Sequence, residues 1–168
     1  MPGGRLLRQT LPLLFPGLLV GCGGALAEVE GTAGGIQWGS SEFVYVGARY
    51  VVISAVEVDC RDIDWVDRNY DEGVKPTETN TSLLQFTFAS GDAVEQGKFA
   101  IAQGGQVQST IITISGDVFN EYNASAGTLS VDSVEDEGAA TGSFDAVTFE
   151  DGTLSGTFTA EWCVNLKP

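Results

Sequence analysis

Acidic oxygens crowd one stretch of this chain. Between Glu57 and Glu72 stand Asp59, Asp62, Asp64, Asp67, Asn69 and Asp71, with Trp65 and Tyr70 set among them. Carboxylate and amide oxygens closely spaced around a turn are the donor set of calcium, which takes about six to eight of them in a flexible geometry. The spacing departs from an EF-hand, because Asp62-Ile63-Asp64 runs into Trp65 and no glycine stands at the position the loop needs for its sharp turn. Arg61 and Arg68 lie inside the run and neutralise part of it, so a solvated acidic loop with weak ion pairs is the simpler expectation. Asp59, Asp62, Asp64, Asp67 and Asp71 are the candidate calcium ligands. Trp65 and Tyr70 form either a platform for a sugar or peptide, or two rings that pin the loop onto a sheet.

Other chemistries are argued against by composition. The chain has no histidine, which removes His-based triads, His zinc sites and His acid–base work. Asn123-Ala-Ser125-Ala-Gly127 lacks the first glycine of a nucleophile elbow and precedes a strand, where that motif requires strand, turn and helix. None of Lys75, Lys98 and Lys167 has a serine three residues before it. Glu150, Asp151 and Glu161 offer carboxylates for a glycosidase-type pair, with nothing to direct them together. The doublets Gly34-Gly35 and Gly104-Gly105 lack the strand-to-helix setting of a phosphate cradle. The expectation is a protein that is not an enzyme and carries no cofactor, calcium being the one ion in question.

The elements that would hold any site are strands. From Ala139 to Cys163 the pattern reads as a hairpin. In its second arm Leu154, Gly156, Phe158, Ala160 and Trp162 alternate with Ser155, Thr157, Thr159 and Glu161, the period of two that buries one face. The first arm changes parity between Phe144 and Val147, which a β-bulge near Ala146 reconciles. Asp151-Gly152 suits a type I′ turn with two positive φ angles. Upstream, Tyr50 to Cys60 is apolar on both faces in its first half and predicts a central strand; Leu84, Phe86 and Phe88 alternate, as do residues within Val107 to Ser115. The longest helical spacing is Ile63, Val66 and Tyr70, at most two turns. The fold class is all-β, an antiparallel β-sandwich or barrel of about seven to nine strands.

Residues 1–21 read as a targeting segment. Arg5 and Arg8 precede an apolar run from Leu11 to Val20, too short and too broken by Pro12 and Pro16 to span a bilayer as a helix. Leu19-Val20-Gly21-Cys22 closes the run and resembles the lipobox of bacterial lipoproteins. The resemblance implies that Cys22 becomes the acylated first residue, that the membrane is a partner through this lipid, and that Gly23 in the next position favours an outer-membrane destination in the bacterial cell envelope. An ordinary signal peptide cleaved after Ala25 or Ala27 is the alternative. With Cys22 lipidated, residues 22–35 form a flexible tether, 36–168 form the β-domain, and Cys60 and Cys163 remain as one pair, a disulfide by default in an oxidising compartment. By alternation Cys163 falls on the wetter face of its strand, which places the bridge at a sheet end.

The last quarter of the chain also resembles uncharacterised secreted or lipid-anchored bacterial β-proteins. The residues that carry this are Gly127 and Leu129, Gly142, Phe144 and Ala146, Asp151 and Gly152, then Gly156, Phe158, Ala160 and Cys163. It implies a fold and a disulfide and supplies no activity. Without residues 1–21 the chain keeps six basic and 23 acidic residues, a net charge of −17. Nucleic acid is therefore excluded as a partner, since no basic footprint exists to meet it. The expected role is a lipid-anchored structural or interaction module that meets an envelope protein or glycan; the alternative is a calcium- or carbohydrate-binding lipoprotein using residues 57–72.

Overall fold

Alternating apolar residues and frequent glycine turns produce eleven strands among the described residues. The computed structural model describes residues 25–63, 80–89, 93–116 and 118–166. In chain order the strands are β1 (Leu26–Ala33), β2 (Ile36–Gln37), β3 (Val44–Val46), β4 (Tyr50–Ser54), β5 (Asn80–Phe88), β6 (Gly97–Ile101), β7 (Val107–Ser115), β8 (Val118–Asn123), β9 (Ala126–Val134), β10 (Ala140–Phe149) and β11 (Gly152–Trp162), with one 3₁₀ turn at Cys60–Asp62. Eight of them close a barrel in the order β10, β9, β6, β7, β5, β4, β3, β11, with β11 pairing back onto β10. Most neighbours are antiparallel; β3 meets β11, and β6 meets β7, in parallel. No helix among the described residues is long and apolar enough to cross a membrane.

An eight-stranded barrel has an interior just wide enough to be filled by side chains. Here Phe86, Phe144, Leu84, Ile53, Leu129, Leu154 and Phe158 fill it, each almost wholly buried. The rings of Phe86 and Phe144 lie 5.2 Å apart, and those of Phe88 and Phe99 meet edge to face at 5.1 Å. A second, smaller core covers the outside of the wall. Tyr45, Tyr50, Val52, Leu83, Ile112 and Ile114 point outward and are covered by Val58, Ile63, Cys163 and Leu166. That is why β4 is apolar on both faces, and all five of its residues are buried.

The bulge lies where the parity change requires it. Pairing of β10 with β11 slips between Phe144 and Val147, Ala146 takes φ 50°, and Asp145 and Ala146 both face solvent. The turn that follows departs from expectation. Phe149 pairs with Gly152, so Glu150 and Asp151 are the central residues, and none of these takes a positive φ. Gly152 is needed for space instead: a Cβ there would stand 1.7 Å from the carbonyl oxygen of Thr32.

That contact exists because the expected tether is a strand. Residues 26–33 pair with β11 from Leu26 opposite Thr159 to Thr32 opposite Thr153, and Ala27, Val29 and Ala33 are buried in the main core. The domain thus begins about ten residues earlier than residue 36. Cys163 stands just past the end of β11, at the sheet end expected for the bridge, but its face is not wet: it is fully buried, because the outer face there is covered by the second core.

Candidate functional site

Of the acidic segment, residues 57–63 are described, with Glu57, Asp59, Arg61 and Asp62 among them; Asp64, Trp65, Asp67, Tyr70 and Asp71 lie outside the described residues, as does Cys22. Asp59 caps the 3₁₀ turn by accepting from the Arg61 backbone N–H at 2.9 Å, and its other oxygen pairs with the Arg61 guanidinium at 3.0 Å. These hydrogen bonds hold its carboxyl below the ordinary aspartate range. Asp59 is therefore occupied as a cap and ion-pair partner. Among the described residues no three His, Cys, Asp or Glu side chains converge as a metal site.

Beside this turn a pocket of about 210 Å³ is lined by Phe43, Tyr45, Glu57, Asp59, Cys60 and Glu161, among others. The Tyr45 hydroxyl donates to the Val58 carbonyl at 2.8 Å. Burial, then the nearby Glu161 and Asp59 carboxylates, push its pKa up, so it stays a neutral donor. Cys60 and Cys163 are joined as a disulfide with Cα atoms 5.7 Å apart, tying this turn to the end of β11.

Glu150 and Asp151 sit at one end of β11 and Glu161 near the other, about 30 Å apart at the usual strand rise, so they form no carboxylate pair. Asp151 has a different partner. Gly34 and Gly35, both in the left-handed region at φ 64° and 71°, donate their backbone N–H groups to its two carboxylate oxygens at 3.0 and 2.8 Å. The glycine doublet does form an anion cradle, and its anion belongs to the chain. These two bonds hold Asp151 below the ordinary carboxylate range. A lowered folded-state pKa stabilises above the unfolded value, and that contribution disappears as pH falls through the folded value. Asp151→Asn is expected to leave a shallower loss of melting temperature between pH 5 and pH 2 than the parent shows; parallel curves from thermal melts across that range would contradict it.

The larger cavity is a cleft of about 460 Å³ at the opposite end of the barrel from Asp151. Four separate stretches build it. Trp162 ends β11; Cys163–Leu166 then turn back, with the Leu166 N–H donating to the Cys163 carbonyl at 3.1 Å and the Ala48 N–H to the Leu166 carbonyl at 3.0 Å. Leu166 can lie on the β3–β4 loop only because residue 47 is glycine, whose added Cβ would stand 2.2 Å from the Leu166 Cβ. Val94 joins through its N–H to the Ala48 carbonyl at 3.1 Å. The remaining wall is Val134 followed by Glu135, Asp136 and Glu137 in the β9–β10 loop, which the Glu135 N–H closes onto the Ala139 carbonyl at 3.0 Å.

The floor is apolar and the rim acidic. Trp162 is half-buried, Val164 is 60% exposed, and Glu135, Asp136 and Glu137 all face solvent. None of the three carboxylates is in an ion pair among the described residues. A concave, mostly apolar site with a few polar groups at its edge can hold a side chain or small apolar group and fix its orientation. Sequence reasoning missed this cleft. The one local signal was the run Glu135-Asp136-Glu137-Gly138 between two strands. No protein-family model, no curated protein and no solved structure matches the chain.

Proposed function

We propose that the chain is a lipid-anchored protein of the bacterial envelope, without enzymatic activity, that works as an interaction module. The lipobox resemblance of Leu19-Val20-Gly21-Cys22 carries this reading, and one structural observation supports it against cleavage after Ala27: β1 starts at Leu26, and Ala27 is already fully buried, with its N–H and C=O bonded to Ser41 at 2.7 and 2.8 Å. Cleavage after Ala27 removes a paired core residue from the barrel. Cleavage before Cys22 leaves β1 whole and places the acylated residue only a few positions ahead of the strand. The disulfide supports the same compartment, since it uses two of the three cysteines and needs oxidising surroundings. A barrel filled with Phe, Leu and Ile leaves recognition to its surface.

Metabolic labelling with a palmitate analogue tests the anchor. The parent is expected to incorporate label and partition into the detergent phase, and Cys22→Ser to lose both properties while keeping its melting temperature. An unmodified amino terminus beginning at Leu26 or Glu28 would reject the lipoprotein reading.

A further inference from the structure

The barrel-end cleft has two properties that a structural wall does not need together. Its floor leaves Trp162 half-buried and Val164 largely exposed, apolar surface that stays in contact with water unless something covers it. Its rim then sets three adjacent carboxylates, Glu135, Asp136 and Glu137, beside that surface with no cation among the described residues to balance them. Glu137 holds φ 48°, a left-handed conformation that a side-chain-bearing residue adopts at a cost. Glycine stands next to it at Gly138, so the chain carries a charged side chain where the neighbouring residue type would suit the backbone better.

We propose that this cleft binds a peptide segment of an envelope protein in which a large apolar side chain is flanked by lysine or arginine. The apolar side chain enters against Trp162, Val94 and Leu166, and the basic groups meet Glu135, Asp136 and Glu137. The inference rests on the interaction-module reading and names its partner class. Charge complementarity selects this occupant over the others. A fatty acid would bring its own carboxylate to an acidic rim. A second copy of the processed chain would bring a net charge of −17. Among the described residues it offers three cations: Arg61 is paired with Asp59, Arg49 lies over the Tyr50 ring with its guanidinium 5.0 Å from the centroid, and Lys98 alone is exposed without such a pairing, one charge against three carboxylates. Exposed ion pairs of this kind add orientation and association rate more than affinity, so the binding is salt-sensitive.

The test is calorimetric titration of the full chain with acetyl-Lys-Leu-Phe-Leu-Lys-amide, alongside the charge-reversed acetyl-Glu-Leu-Phe-Leu-Glu-amide and the polar acetyl-Lys-Ser-Gly-Ser-Lys-amide. The basic apolar peptide is expected to bind, and to shift the Trp162 indole resonance in NMR spectra; the other two are expected to bind at least about tenfold more weakly. The triple variant Glu135→Gln, Asp136→Asn, Glu137→Gln is expected to weaken the basic peptide by about tenfold at low salt and to melt as the parent does. Val164→Asp, at an exposed floor position, tests the apolar half without touching the main core. Equal binding of the charge-reversed peptide, tighter binding of dodecanoate, or no binding of the basic peptide at millimolar concentration would each overturn the proposal. Those results leave the anchor reading standing, because they do not depend on Cys22; an unlipidated Cys22 likewise leaves the titration unchanged.

Discussion

Replacing Cys60 and Cys163 together by alanine is expected to destabilise the barrel by about 2–5 kcal/mol and to lower its melting temperature by about 10 °C. The bridge spans 103 residues of sequence, and closing a loop of that size withdraws about 4.7 kcal/mol of chain entropy from the unfolded state in the simplest treatment. The loss reaches beyond entropy. Cys163 is fully buried against Tyr45, Val52, Ile63 and Leu166, and the bridge fastens the 55–63 segment that covers the outer face of β3, β4 and β5. Without it that cover is held by contacts such as Tyr45 on the Val58 carbonyl and Asn165 on the Cys60 carbonyl, 2.8 and 3.3 Å long. Urea unfolding with and without reductant measures the effect on the parent chain itself. Midpoints that coincide would show that the outer core holds without the bridge.

Gly156→Ala is expected to cost about 3 kcal/mol or more, as much as truncating a core phenylalanine. On the inner face of the hairpin two glycines and two phenylalanines face each other in reciprocal pairs, Gly142 opposite Phe158 and Phe144 opposite Gly156. Each ring lies across the glycine of the other strand. A Cβ on residue 156 would stand 2.7 Å from the Phe144 Cζ and 2.3 Å from the Glu28 carbonyl oxygen. The ring could turn aside, but the Glu28 carbonyl belongs to the β1 ladder and could not. Combining Gly156→Ala with Phe144→Leu therefore restores little of the loss in a double-mutant cycle. Full recovery in the double variant would place the conflict in the ring alone, and unchanged stability of the single variant would show that β1 can slide away.

The echo of Gly-x-Phe-x-Ala in both arms was visible in the chain as written, and these pairs are its physical cause. The alternation of β11 and the bulge beside Ala146 were equally legible, since each depends on neighbours a few positions away. β1 had a signal that Gly31 and the doublet Gly34-Gly35 after it obscured: Ala27 and Val29 alternate with Glu28 and Glu30 as a half-buried strand requires. β8 had almost none, because Asn120, Glu121 and Asn123 face solvent on an edge that asks for no apolar face. Barrel closure and the cleft could not be read locally at all. Closure depends on β11 meeting both β10 and β3, and the cleft draws on residues 47–48, 93–94, 134–137 and 162–166, with no shared spacing. The Gly152 turn is not legible locally either, because its constraint comes from Thr32, far away in sequence and adjacent in space.

The register of Leu26 with Thr159 has a consequence for biogenesis. The opening strand reaches the folding compartment first and its partner last, so β1 waits with an unmatched edge until the end of the domain arrives. A topology so dominated by distant pairings folds slowly, and its unfinished edge is open to intermolecular pairing meanwhile. Nascent chains cut short before residue 152 should for that reason aggregate or be degraded, however complete their first ten strands.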